Sequence, residues 1–429
     1  MQNAKCKSQN AKCKSQKPKA KTQKALSVKP YAFSLKPSIN MKILLFDTAD
    51  RKSLFPLTLT RATATIRMGI DTLQDKWERL LNLPSLILTD YYLQDLYEPI
   101  LPGKYLLVAS NLLPTQLLAD QIKQLQPGQA INDKDGLVAG ILSFDIAPVF
   151  ETDFIKLFNE LAPAVNARRI DMYCDIFSWN AEMIEQDFQQ YAKGKSTTFI
   201  KQGVHIICPE NVFIESGAQI EFSSLNASTG PIYIGRNAVV MEGCLIRGPF
   251  ALGEDSVLKM GTKIYGATTL GPHCVGGGEI KNSVIMGYSN KAHDGYLGDS
   301  VVGEWCNLGA GTSNSNLKNN VSEVKVWSYA ANNYIPSGTK CGIVMGDYSR
   351  SSINTSFNTG TVVGVCCNVF GEGLSPKFIP DFTWGTKGLS RYELEKGLID
   401  VMNWMKLKHL ELDPKKVEVL KYIFNHYND

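Results

Sequence analysis

The chain has 429 residues, 44% of them hydrophobic and 20% charged, an ordinary composition for a protein of two or three domains. No apolar run reaches the ~18–20 residues that a membrane-spanning helix needs, which excludes such a span and leaves a cytoplasmic protein as the expectation. The formal charge of +4 does not describe a basic surface: residues 1–40 hold ten lysines and no acid, so the rest of the chain carries a net −6.

A nucleic-acid patch would therefore be confined to the first 40 residues, where QNAKCKS occurs twice in succession. Such a segment cannot bury a core and is expected to be a disordered basic extension. It has neither arginine nor an apolar stretch, so it reads poorly as a targeting signal. Met41-Lys-Ile-Leu-Leu-Phe46 then opens a sharp strand pattern, and Met41 is expected to be the true start. The ten cysteines are scattered without any Cys-x-x-Cys pair, which argues against a metal or disulfide framework and for small buried residues in a reducing compartment.

Residues 41–198 read as an α/β domain. Apolar runs at 42–46, 86–89 and 105–109 are predicted strands, alternating with helical patterns around 69–82 and 115–125. Ser178 to Ala192 is an amphipathic helix, and Gly194 to Thr198 is the candidate linker. In residues 199–388 the pattern changes. Ile234, Val240, Ile246, Leu252, Leu258, Ile264 and Leu270 recur every six residues. Two residues before each stand mostly small side chains, such as Ala238, Cys244, Ser256 and Thr262. A period of six suits neither an α-helix nor strand alternation. It fits a left-handed parallel β-helix with one short strand per face, whose coils bury a shared core. The pattern breaks over Gly276–Tyr296 and resumes at Val302-Gly303 and Leu308-Gly309. In residues 389–429, Ser390–Glu393 forms a capping-box pattern before a helix to about Leu407, and Asp413-Pro414 starts another. These helices are expected to cap the open end of the β-helix.

The break is where polar residues replace the aliphatic repeat: Lys281, Lys291, His293 and Tyr296, followed by Asn307-Leu-Gly-Ala-Gly-Thr312 and Asn316. Lys281 stands twelve residues before His293, Tyr296 three after it and Asn307 fourteen after it. In these spacings residues 276–316 resemble the acetyltransferase half of the bifunctional glucosamine-1-phosphate N-acetyltransferase / N-acetylglucosamine-1-phosphate uridyltransferase family (the UDP-N-acetylglucosamine pyrophosphorylase-like family). That family carries K-A-N-H-x-x-Y-x-G-D and N-I-G-A-G-T at the same separation. From Met41 onward the chain resembles a two-domain variant of the Bacteroidetes type, on phrases such as NASTGPIYIG, IRGPFALGE and GEWCNLGAGT.

The resemblance implies that His293 is the general base for an amine attacking a thioester, a role suited to imidazole, which ionises near pH ~6.5. It implies that Lys281 and Tyr296 hold a sugar phosphate, that Asn307 contacts the sugar, and that Ala310 and Asn316 lie beside acetyl-CoA. Lys263 stands where the family has an arginine; lysine keeps the charge and loses the bidentate fork. It further implies a homotrimer. His273 at a coil corner reads as structural, and His205, His409 and His426 lack supporting partners.

The N-terminal half agrees less well. A sugar nucleotidyltransferase needs a Gly-rich loop after its first strand, a basic residue and acidic ligands for Mg²⁺. Here Asp47–Thr58 contains no glycine. Arg61 and Arg67 are candidates for the phosphates of a nucleoside triphosphate, or else ordinary surface charges. Asn111 stands where a metal-binding aspartate is usual in such enzymes, and Asp175 is either a replacement ligand or a helix cap. The expected activity is acetyl transfer from acetyl-CoA to a hexosamine 1-phosphate, with nucleotidyl transfer to the product as a coupled step. The alternatives are a sugar-1-phosphate nucleotidyltransferase with a purely structural β-helix, and a non-catalytic sugar-nucleotide-binding scaffold.

Overall fold

The structure is a computed structural model that describes residues 41–192 and 203–427; the basic extension 1–40 and the linker expected at Gly194–Thr198 lie outside the described residues. The N-terminal domain is built on a six-stranded sheet. Its first strand, Lys42–Phe46, lies between parallel neighbours Ser85–Leu88 and Gly103–Ala109. The antiparallel strand Gly136–Phe144 follows, then Gln129–Asp133 and Glu160–Pro163. The first three strands are buried almost throughout, which explains why they read as unbroken apolar runs. Helices Leu73–Leu81 and Gln116–Ile122 flank the sheet where the 3.6-residue pattern predicted them, each started by a threonine that accepts a backbone N–H.

From His205 the chain winds into a three-sided parallel β-helix. The repeating aliphatic residues point inward: Ile234, Val240, Ile246, Leu252, Leu258, Ile264 and Leu270 belong to one continuous core and are almost fully buried. The small residues before them lie at the corners, where Ser256 donates to the Gly271 carbonyl at 2.8 Å. A full coil is 18 residues, as in the pairing of Leu252 with Leu270. The segment 276–296 is no break in the winding. Leu270 pairs with Ile285 after 15 residues and Ile285 with Val302 after 17, so the coil continues on shortened turns. One long excursion follows Asn314 and carries the hairpin of Lys325–Ser328 with Asn333–Pro336 before the winding resumes at Ile343–Met345.

The three faces have different surroundings. The nine-stranded face packs against the N-terminal domain: its outward Val284, Val301, Val344 and Val362 join Leu54, Leu57, Ile66, Ile176 and Met183 in one apolar cluster. The ten-stranded face is covered over its later coils by the C-terminal helix Leu394–Lys406, with Trp404 stacked on Arg350. Along the corner beside it, Trp305, Tyr348 and Phe382 cluster with Leu398, Val401, Leu420 and Ile423 of the two C-terminal helices. The third, six-stranded face has no such covering element among the described residues. We call it the open face.

The C-terminal helices do form, Leu394–Lys406 and Pro414–His426, the second capped by Asp413 as expected. Their place differs from the expectation: they lie along a corner of the β-helix and reach the N-terminal domain, where Tyr422 stacks on Tyr92. The free edge of the ten-stranded face is met instead by Ser390–Arg391, which pairs antiparallel with Thr383–Trp384. The capping box read at Ser390–Glu393 is therefore a strand ending, and the helix starts after Glu393 without a side-chain cap.

Candidate active site at the corner of the open face

Strands of the open face place one residue inward and its two neighbours outward. Ile246, Ile264, Ile280 and Leu297 fill the core. The outward positions form two ladders by register. One runs Leu245, Lys263, Glu279, Tyr296; the other places Lys281 between Tyr265 and Gly298, with Arg247 one coil earlier. Thus Lys263, Lys281 and Tyr296 share one surface because the coils of this face repeat after 16 and 17 residues, as from Lys263 to Glu279 and from Glu279 to Tyr296. Arg247, Tyr265 and Glu279 belong to the same surface and escaped the sequence reading. Their signal was their position on either side of an inward isoleucine.

The side chains interlock. The Lys281 ammonium lies over the Tyr265 ring, 5.9 Å from its centre. Tyr265 donates to Glu279 at 2.5 Å, which, with burial, pushes its phenol up to about 12. Burial, followed by the nearby Asp299 carboxylate, pushes the Tyr296 phenol up to about 12. Tyr296 therefore remains a hydrogen-bond donor at neutral pH. Asn316 donates to the Tyr296 oxygen at 3.1 Å and to Asp299, which also accepts from Asn282 at 2.7 Å. Asn316 thus supports Tyr296 from the coil above. Beside this surface runs a groove of ≈ 470 Å³ lined by Asn226, Leu245, Arg247, Lys263 and Tyr265 among others.

His293 stands exposed at the corner between Asn290–Lys291 of the covered face and Tyr296–Gly298 of the open face. The corner below it has lost two residues: Gly276 to Ile280 is four steps, where Leu258 to Ile264 is six. Gly277 and Gly278 make that short turn pass directly under the His293 corner. A Cβ on Gly277 would come within 2.3 Å of the Ala292 carbonyl, and Gly278 has a φ of +67°. Above, Gly311 donates to the Asp294 carbonyl at 3.0 Å, which places Ala310 at the equivalent corner of the next coil. Asn307 lies around the corner from Tyr296, on the covered face, in register with Asn290 and Arg350. One chain therefore gathers Lys263, Lys281, Tyr296 and Asn316 on a single face, with His293 and Ala310 on the adjoining corner and Asn307 beyond it.

The N-terminal candidates fare differently. Of the segment Asp47–Thr58, where a phosphate loop would stand, residues 54–58 are buried, whereas Ala49, Asp50 and Lys52 are exposed. Leu54 and Leu57 wedge against the β-helix valines, while Phe55 and Leu59 meet Trp305 and Phe382. Arg61 is buried and ion-paired with Glu304 at 2.9 Å and with Asp347, both on the β-helix. Thr60 donates to Asp347 at 2.6 Å in the same cluster. Arg61 ties the two domains together, which corrects its reading as a phosphate ligand. Arg67 donates to the Ile70 carbonyl and faces a cleft of mixed charge, lined by Asp71, Glu215 and Glu254 together with Arg236.

Asn111 accepts from Arg169 at 3.1 Å, and Arg169 also donates to Asp133 at 2.8 and 3.0 Å. A guanidinium thus holds the position where Mg²⁺ would need oxygen ligands. Asp175 accepts from the backbone of Asp171 and Met172 at 3.0 and 2.9 Å, so it caps the helix Tyr173–Ser178. Among the described residues no group of three His, Cys, Asp or Glu side chains could hold a metal. At Asn111 and Asp175 the side chains are thus engaged within the protein and do not fit Mg²⁺. His273 stacks on Tyr288, which stacks on Trp305, a structural ladder as expected of a corner residue. No helix among the described residues is long and apolar enough to cross a membrane.

The chain is 38% identical over 89 residues to the bifunctional protein GlmU of Methanocaldococcus jannaschii, covering 21% of each chain. It is 39% identical over 93 residues to the bifunctional sugar-1-phosphate nucleotidylyltransferase/acetyltransferase of Sulfurisphaera tokodaii, covering 21% of this chain and 23% of that one. The matched stretch thus spans about a fifth of these relatives' length. Among solved structures, an Arabidopsis UDP-N-acetylglucosamine acyltransferase aligns with 53% of this chain and 90% of its own, at 13% identity and a TM-score of 0.20, too low to carry an argument. Residues 43–196 match the model of a sugar nucleotidyl transferase family, and the chain shares a further likeness in part with bifunctional sugar-1-phosphate nucleotidylyltransferase/acetyltransferases.

Proposed function

We propose that this protein transfers an acetyl group from acetyl-CoA to the amine of a hexosamine 1-phosphate. The observation that carries this reading is the open face itself: Lys281 and Tyr296 stand on it in adjoining ladders, with His293 exposed at its corner. Lys281, with Lys263 and Arg247 nearby, supplies cations for a phosphate, and the protonated Tyr296 supplies a donor. His293 accepts the proton of the attacking amine. As the C–N bond forms and the C–S bond breaks, that proton is available to the departing CoA thiolate. Ala310 and the corner stack above His293 form the side from which acetyl-CoA would approach. Because Asn307 lies around the corner, a neighbouring copy in a homotrimer would complete the site, and a reducing, cytoplasmic setting suits the free buried cysteines.

The test is release of free thiol from acetyl-CoA in the presence of glucosamine 1-phosphate, with and without His293→Ala. Equal rates would remove His293 from the mechanism, and no release with any hexosamine phosphate would refute the reading. The family match over residues 43–196 favours a second, coupled reading, nucleotidyl transfer to the acetylated product. Pyrophosphate release from a nucleoside triphosphate and a sugar phosphate decides it.

A further inference from the structure

Among the described residues, the core of the β-helix contains one lysine. Lys291 occupies an inward position in the ladder that holds Val240 and Leu258, with glycine beside it at Gly276 and Leu308 next in register. Its side chain is 1% exposed. Gly276 has no room for a side chain of its own, since a Cβ there would meet Leu258 and Leu270 at 2.8 and 2.6 Å. The lysine stem therefore replaces an aliphatic side chain, and its ammonium emerges at the corner. There it donates to the Gly277 carbonyl at 3.2 Å and to the His293 carbonyl.

Burying an ammonium costs free energy that an aliphatic residue at this position would not incur. Stability is thus a poor explanation for the lysine. Its two acceptors are informative: one lies on the shortened turn beneath the candidate base, the other is the candidate base's own carbonyl. We infer that Lys291 is a positioning residue, which pins the His293 corner to the turn below it and so fixes where the imidazole stands. This inference rests on the acyl-transfer reading for its catalytic consequence, though not for the corner's rigidity. Burial lowers the ammonium to about 8, partly offset by Asp294, the charged group at the same corner. The tie is therefore present at neutral pH and weakens as pH rises through that value.

The experiment compares the full-length protein with Lys291→Met and Lys291→Leu, both of which suit the apolar ladder. Expected are a melting temperature equal to or above that of the parent and KM values within about twofold. kcat should fall at least about tenfold, with faster hydrogen–deuterium exchange over residues 292–296, where Tyr296 N–H is bonded to Ser313. A kcat within twofold of the parent with unchanged exchange would overturn the inference. Failure of both variants to fold would overturn it too, by making the lysine a structural requirement. Should the parent protein transfer no acyl group, the exchange arm decides alone: faster exchange supports the tie, unchanged exchange refutes it, and the acyl-transfer reading falls separately.

Discussion

The open face and the face beneath the N-terminal domain are made by the same coils and differ in what they point outward. On the domain-covered face both sides of each strand are buried, as in Ile232–Ile234, Phe250–Leu252 and Ile343–Met345. On the open face the pattern alternates, as in Leu245–Arg247 and Glu279–Lys281. Inward residues specify the winding, and outward residues decide whether a face becomes an interface or a site. The same contrast separates the halves of the chain. The N-terminal domain spends its first loop and Arg61 on docking, whereas the β-helix leaves Lys281, His293 and Tyr296 within reach of solvent.

The comparison breaks most severely if charge is exchanged between faces. Val301→Asp would bury an unpaired carboxylate against the N-terminal domain and should cost several kcal/mol, about 4 or more, read as loss of the cooperative melting transition. The open-face counterpart Lys281→Ala should leave melting unchanged within about 0.5 kcal/mol. Its effect should be on the sugar phosphate, whose KM should rise by about tenfold, the equivalent of ~1.4 kcal/mol. Arg61→Ala should destabilise by about 3–5 kcal/mol, because Asp347 and Glu304 would be left without their cation in a buried cluster. Denaturant unfolding measures it, and retention of full stability would detach Arg61 from domain docking.

A smaller effect concerns pH. Lys291 has a folded-state value near 8, below its ordinary value, so its charged form disfavours the fold. The sign is that stability from this group rises between about pH 8 and the ordinary lysine value of ~10.4, and is flat below. Lys291→Met should remove that rise, visible as a difference in melting temperature that shrinks above pH 8. A pH-independent difference would contradict it.

Much of the winding was legible because inward residues repeat every six positions regardless of what surrounds them. The coil at 276–296 read as a break because two of its inward positions hold Gly276 and Lys291, and because two steps disappear between Gly276 and Ile280. Lys281, His293 and Tyr296 stood out in the sequence through their resemblance to a family motif, and the winding sets them on one face and its adjoining corner. Arg247, Tyr265 and Glu279 did not, since outward residues obey no period of their own. The role of Arg61 was hidden for a different reason: its partners Glu304 and Asp347 lie more than two hundred residues away, on another domain. At Ser390–Glu393 a local capping pattern lost to strand pairing with Thr383–Trp384, a tertiary contact that no local reading contains.

The central claim is that the open face and its corner form an acyl-transfer site with His293 as the base. Its most direct measurement is the rate of thiol release from acetyl-CoA with glucosamine 1-phosphate, compared between the parent protein and His293→Ala. The account predicts measurable turnover that falls by about 10²–10⁴-fold in the variant, with melting temperature unchanged. Turnover that survives the substitution, or a parent protein inert toward every hexosamine phosphate, would contradict it.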